Sequence, residues 1–488
     1  MSDASRPDAA QGTGRLRPGL FLLILLPYAF LVRRFWFVAD DAFISFRYAR
    51  NLAEGHGLRY NLGDGEPVEG YSNFLWVIIC SVFEFFRMDI TLWPLLLSAA
   101  CGVAVLWLVF DLLSRRLEVG APAAFLATLS LACYPPFALW STGGLATMPF
   151  ALAVLLTLER LVLRRSGPDV LGGSLAGLFL ALLRLEGIAW FAVILFLAFL
   201  SRRLAKDDAR RALRKCTLIV GVLFASYYAW RTLYYGMALP NTAYAKAALD
   251  APRLLRGLAY VGSYFLTFVT PVLIIPAAFC ACRKGRRPIG LPLLALALAF
   301  PAYSILVTGD FMPMGRFLVP AASFQVLLLG WLLHDLWVKG IAMKSVALSL
   351  AAAAILVQLL PAFDLHVIPD SVRSRLFFRY SARERLSEVE VWEGQVKNTH
   401  EWGETGKALW SYARQRVFPE AHPTYVKGAI GAIGYYSGLD ILDWHGLVTP
   451  RVAHRSLDKN EPLRSPGHDK QVDISFFNHD EPTILMAT

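Results

Sequence analysis

Apolar residues along the chain gather in blocks of about 17–25, separated by short polar breaks that are often basic. The blocks cover 20–38, 71–87, 92–113, 121–140, 145–163, 169–183, 186–200, 216–235, 257–281, 289–307, 316–337 and 345–362. A helix needs about 20 such residues to cross a hydrocarbon core of ~30 Å, and a helix satisfies its own backbone there. The pattern predicts a mainly α, polytopic membrane protein. It changes at about 363, where polar residues take over. Residues 384–417 read as helical, and His422–Lys427 and Leu439–Asp443 read as short strands around a Gly-rich helical stretch, Gly428–Gly438. Three parts are expected: a polar tail at 1–19, a transmembrane domain over 20–362 that includes an outer loop 39–70 with juxtamembrane helices, and a small α/β domain outside the membrane over 363–488.

Basic clusters orient the blocks. If all of them cross, Arg115–Arg116, Arg164–Arg165, the Ser201–Arg214 cluster and Arg283–Arg287 fall outside, against the preference for cytoplasmic Lys and Arg. Removing one crossing brings all four inside. The 71–87 block is marginal in length and carries Glu84, Arg87 and a Trp, as a segment lying in the outer interface does. About eleven spans follow, with a cytoplasmic N-terminus and an extracytoplasmic C-terminal domain. The first block is interrupted by Arg33 and Arg34 and lacks a small-residue cleavage site, so it reads as a retained span.

Composition agrees: 56% of residues are hydrophobic and 17% charged, which excludes an ordinary soluble enzyme and a disordered chain. The net charge of +11 sits in short loops, which fits topology and not nucleic acid. The six cysteines lie in or beside apolar blocks, so neither a disulfide framework nor a zinc site is expected.

The unusual polar residues all fall on the outer face. Asp40-Asp41 follow the first span and open an amphipathic stretch in which Arg47, Arg50 and Glu54 share one side. One acid caps a helix; two exceed that need, and crowding at the boundary raises a carboxylate toward the range of a useful base. Glu69 in Glu69-Gly70-Tyr71 reads as a sugar ligand, as a partner of the Asp pair in holding a cation, or as a plain loop charge. Arg231 to Lys246 contains Tyr234-Tyr235 and Leu239-Pro240-Asn241-Thr242. An outer cation beside tyrosines suits a lipid-borne phosphate or a snorkelling anchor. Asp310 and Arg316 flank a Gly/Pro turn, where charge is costly unless paired or functional. Arg184-Leu185-Glu186 is similar, and also fits a simple ion pair. No Walker loop, GxGxxG, HExxH or GxSxG motif signals a nucleotide cofactor or another known chemistry. An outward site without a nucleotide pocket draws activated substrate from the membrane, and polyprenyl-phosphate sugars are the available class.

The run Asp40 to Ala49, with Glu69-Gly70-Tyr71, Leu-Pro-Asn-Thr ending in Lys246 and Gly-Asp-Phe-Met-Pro ending in Arg316, resembles the GT-C glycosyltransferases. It is most similar to the terminal β-(1→2) arabinofuranosyltransferases of mycobacterial cell walls. In the tail, Gly434-Tyr435, Leu442-Asp443, Gly446-Leu447 and Gly467-His468 also fit. The resemblance implies a GT-C fold and an inverting transferase that moves a sugar, arabinofuranose by the family's name, from a polyprenyl-phosphate donor to a cell-envelope glycan or glycolipid. It places the reaction on the outer face of the bacterial inner membrane. Asp40 or Asp41 would be the general base, with Asp41 slightly favoured because Asp40 is better placed to end the span. Lys246, Arg316 and Arg231 would hold the donor phosphate. Glu69, Asn241, Asp310, Trp140, Glu186 and His468 would contact sugar or acceptor. A divalent cation at Asp40, Asp41 and Glu69 stays open. Two positions depart from the family pattern: Ala146 stands where a Glu follows Gly-Leu, and Phe74 replaces a Pro before Leu75-Trp76. A glycan ligase would use the same outer acids. A lipid or polysaccharide transporter fits less well, since its polar residues belong at the midplane.

Overall fold

The computed structural model describes residues 18–485 apart from 64, 202–206, 247–249, 269, 366, 369–386, 416, 419 and 458–460. The N-terminal tail, except Pro18 and Gly19, and part of the Ser201–Arg214 cluster lie outside the described residues. Each block expected to span answers to a helix or a broken helix. Trp93–Arg116, Asp207–Tyr235, Arg287–Leu306, Pro313–Trp337 and Ile341–Phe363 are long and apolar enough to cross a membrane. Val319–Trp337 is central. It packs against Ala121–Ala132, Ile274–Ala281, Arg287–Leu306 and Ile341–Leu359, and its side chains are buried almost all round. Several shorter apolar helices, such as Val170–Leu183 and Gly187–Leu200, fill in around it.

The basic clusters meet at one end of the bundle. Arg165 pairs with Glu118, Arg116 lies 3.7 Å from Glu159, and Arg160 and Arg164 both hold Asp169. Trp331 donates to the Leu117 carbonyl at 3.3 Å, and Arg283 and Arg286 grip Asp335 at 2.7 and 2.6 Å. The segments with unusual polar residues meet at the opposite end. Helix Phe74–Phe85 has both its ends there. Trp76 donates to Gly144 at 2.9 Å near its start, and Glu84 accepts from Tyr435 at 2.7 Å near its finish. At 1.5 Å per residue its twelve residues reach about 18 Å, so it lies along that end of the bundle and does not cross it.

The tail begins with helix Glu388–Arg414, opened by a reciprocal cap between Ser387 and Glu390. Strands β1 (Thr424–Val426) and β2 (Asp440–Leu442) pair in parallel with Tyr425 opposite Ile441, and helix Gly431–Ser437 connects them. These elements fall where the hydrophobic pattern put them. Two three-residue strands cannot bury a core alone. Val389, Leu409, Tyr425, Ile433 and Ile441 therefore join the core of the membrane helices, and Gly431–Ser437 packs directly on the first-loop helix Asp40–Ala53.

Candidate active site

Helix Asp40–Ala53 starts with its two acids side by side, and the fold sends them in different directions. The Asp40 carboxylate accepts the backbone N–H groups of Gly431 and Ala432, at 3.1 and 2.7 Å, and so caps the tail helix Gly431–Ser437. Burial pushes its pKa up to about 7, with the two donors pulling back and the Asp41 charge adding to the rise. Further along the same side, Arg47 and Arg50 donate to the Gly434 and Tyr435 carbonyls, each at 2.8 Å. An acid at the positive end and two arginines at the negative end hold that helix by its dipole.

Asp41 faces inward. Its carboxylate stands 3.8 Å from Arg316, whose guanidinium is held by both oxygens of Asp310 at 2.8 and 3.1 Å. The segment carrying this pair is tightly bent: Thr308, Gly309, Met314 and Gly315 all have positive φ. A Cβ at Gly315 would come within 2.3 Å of the Tyr264 ring, so only glycine fits there. Trp140 donates to the Pro313 carbonyl at 3.0 Å and lays its ring 5.6 Å from the Arg316 guanidinium. Glu388, from the tail, accepts the Met314 N–H.

Lys246 ends the short helix Asn241–Lys246 and makes no ion pair or hydrogen bond among the described residues. Its side chain is solvent-accessible, yet hemmed by charge. Desolvation by the protein packed around it lowers its ammonium below the usual lysine range, Asp41 and Asp310 pull it back up, and Arg316 and Arg184 push it down. Glu186 is taken by Arg184 and by the Tyr303 hydroxyl at 3.1 Å, the ion pair being one of the two readings of that turn. From the tail comes His468, its ring 4.9 Å from Phe311 and 4.3 Å from His445. Burial holds the His468 imidazole down at about 4, with Asp41 opposing and Lys246 reinforcing, so it is neutral near pH 7. Asp41, Lys246, Asp310, Arg316, Trp140 and His468 thus converge on one cleft, with Arg184 and Glu186 at its edge.

Glu69, Arg231 and Asn241 form a separate buried set. Arg231 meets Glu69 at 2.5 Å and donates to Met237 and Ala238 carbonyls at 3.0 and 2.9 Å. Burial raises Glu69 to about 7, with Arg231 drawing it back. Asn241 donates to the carbonyls of Gly446 and Leu447 at 2.7 and 2.9 Å. These three build the bend that delivers Lys246 and dock the tail on it, and the cations left at the cleft are Lys246, Arg316 and Arg184. The sequence reading did not single out Arg253, Arg256, Asp469 or His445. Their only local signal was charge or a ring beside Gly446 and Gly467.

The candidate cation ligands do not come together. Asp40 is spent on the tail helix, Glu69 on Arg231, and Asp41 faces an arginine. Among the described residues no three His, Cys, Asp or Glu side chains are grouped as a metal ion would need.

Comparison with known proteins adds four findings. A family model described as a domain of unknown function (DUF8728) matches residues 393–487. The chain is 29% identical over 333 residues to a terminal β-(1→2)-arabinofuranosyltransferase of Corynebacterium glutamicum, covering 60% of this chain and 47% of that one. It is 30% identical over 280 residues to the enzyme of the same name from Mycobacterium tuberculosis, covering 52% and 42%. The chain spans about half the length of the curated relatives it matches. In structure it is similar to ArnT from Cupriavidus metallidurans bound to undecaprenyl phosphate, with a TM-score of 0.56 at 16% identity over 87% of this chain and 85% of that one. Its fold is therefore the mainly helical fold of that ArnT structure, and its sequence is similar to that of terminal arabinofuranosyltransferases over about half their length.

Proposed function

We propose that this protein is an inverting glycosyltransferase of the bacterial inner membrane. It takes a sugar from a polyprenyl-phosphate donor at the extracytoplasmic face and passes it to a cell-envelope glycan or glycolipid. The N-terminus lies in the cytoplasm and the tail outside. The observation that carries the reading is the opposition, across one cleft, of the Asp41 carboxylate to the cations Lys246 and Arg316. A base facing a phosphate site is what displacement at an anomeric carbon requires. Similarity to arabinofuranosyltransferases favours arabinofuranose as the sugar.

In this mechanism the acceptor hydroxyl gives its proton to Asp41 as its oxygen bonds to the anomeric carbon. The bond from that carbon to the phosphate oxygen breaks on the opposite side, and the lipid phosphate leaves with the electron pair. Lys246 and Arg316 hold the growing negative charge. Asp310 keeps the Arg316 fork aimed, Trp140 supports its face, and His468 offers a neutral hydrogen-bonding ring to a sugar hydroxyl. Asp40 serves by holding the tail over the cleft.

Transfer from radiolabelled polyprenyl-phosphate sugars by purified protein tests this. Asp41→Asn should lose about two to three decades of rate, and Lys246→Ala a comparable amount, as deletion of one charge-stabilising donor does elsewhere. Full activity in Asp41→Asn would remove Asp41 as the base. No consumption of any lipid-linked sugar by wild type would remove the transferase.

A further inference from the structure

The tail enters the cleft through Gly467-His468-Asp469, and one buried side chain ties that run to the membrane helices. Arg256, on helix Ala251–Phe268, is 2% exposed and commits all its N–H donors. Nε and Nη2 donate to the Thr308 carbonyl and hydroxyl at 3.1 and 2.9 Å. Nη1 and Nη2 donate to the two Asp469 oxygens at 2.9 Å each, and Nη1 also to the Arg464 carbonyl at 2.6 Å. Arg253 adds a contact to Asp469 at 3.2 Å.

Both ends of this bridge adjoin the cleft. Thr308, in the left-handed region at φ 66°, stands two residues before Asp310, the partner of Arg316. Asp469 follows His468 directly. Gly467 is so near Lys246 that an added Cβ would meet the lysine Cε at 3.3 Å.

We infer that Arg256 is a positioning residue: it sets the spacing between the phosphate side of the cleft, Asp310 and Arg316, and the tail side, His468. What that spacing serves rests on the glycosyl-transfer reading; the spacing itself does not. A guanidinium whose five donors are all used fixes its partners in the plane of a rigid fork, which a lysine ammonium cannot do. A buried ion pair is weak evidence of stability, because desolvation offsets its attraction, and registering two parts against each other is its better-attested use. This pair joins the two segments that carry cleft residues, where a merely stabilising pair need join neither.

Arg256→Lys and the milder Asp469→Asn test it in purified full-length protein. Hydrogen exchange should speed by about tenfold or more in residues 308–316 and 464–470 together, while Val319–Trp337 and Glu388–Arg414 keep their protection. Transfer should lose about a hundredfold in kcat, with donor KM within about threefold, since a misplacement near 1 Å has that effect. Combining Arg256→Lys with His468→Ala should lower the rate little beyond the worse single variant, because both act on the placement of one ring. Loss of protection in only one segment, or in neither, overturns the inference, and so do rate losses that multiply. If Arg256→Lys does not accumulate, Asp469→Asn carries the same readings. If wild type transfers no sugar, the glycosyl-transfer reading falls, and the exchange result alone decides the positioning role.

Discussion

Asp40 and Asp41 are neighbours in the chain, but successive helical residues point about 100° apart, so one meets the tail and the other the cleft. The same arithmetic puts Arg47 and Arg50 on the Asp40 side, which is why the stretch read as amphipathic. That the acid pair stands among the gathered polar residues was legible from the sequence. Which way each acid turns was not, because the partner of Asp40 lies 391 residues away. The Asp40 carboxyl titrates at about 7 in the folded protein, against ~4 for an unfolded aspartate. An acid raised by folding binds its proton more tightly in the native state. Its contribution to stability is therefore largest below about pH 4, falls as pH rises to about 7, and is level above that. Melting of wild type and Asp40→Asn in detergent should show the wild-type advantage shrinking across that window. Asp443 and Glu69, also raised to about 7, stay in both proteins and cancel. An advantage that is flat or grows with pH would show that Asp40 is not the buried acid described here.

The tail helix Gly431–Ser437 is seven residues long and too short to persist alone. It persists because Asp40 caps one end, Arg47 and Arg50 bind the other, and its glycines let the first-loop helix come close. A Cβ at Gly431 would sit 1.8 Å from the Asp40 carbonyl oxygen, and one at Gly434 would sit 2.0 Å from the Tyr60 hydroxyl, itself hydrogen-bonded to the Ile430 carbonyl at 2.5 Å. Gly431→Ala should therefore destabilise by about 3 kcal/mol or more, the upper range for forced overpacking, and expose the tail to protease. Gly394→Ala, on helix Glu388–Arg414 with open space around it, should be neutral or raise stability by up to about 1 kcal/mol through helix propensity. Thermal melts and limited proteolysis of the two variants distinguish a docking role from a general intolerance of alanine. The two strands and this helix were legible because their patterns are local. Their merger with the membrane core was not, because a hydrophobic period shows that a face is buried without showing against what.

At the scale of the molecule, the basic clusters and the candidate site lie at opposite ends of one bundle. Arg116, Arg160, Arg164, Arg165, Arg283 and Arg286 are tied together at one end by Glu118, Glu159, Asp169 and Asp335. Asp41, Lys246, Arg316 and the tail occupy the other. Helix Phe74–Phe85 has both ends on the cleft side, which is what lets every basic cluster share the far side. Helix Asp207–Tyr235, at 29 residues, runs about 43 Å and outreaches a ~30 Å hydrocarbon core, so it needs tilt or a protruding basic end, and its first turns carry Arg210, Arg211, Arg214 and Lys215. The positive-inside preference then predicts the basic end in the cytoplasm and the cleft outside. Single cysteines introduced as Arg165→Cys, Lys284→Cys and Lys397→Cys, in a chain with its six native cysteines replaced, read the two ends separately. All three positions are exposed. An impermeant maleimide should label Lys397→Cys in intact cells, after opening of any outer envelope, and the other two only once the membrane is permeabilised. Labelling of Arg165→Cys and Lys284→Cys from outside, with Lys397→Cys protected, would turn the cleft to the cytoplasm. An acceptor on an extracytoplasmic glycan could not then reach Asp41.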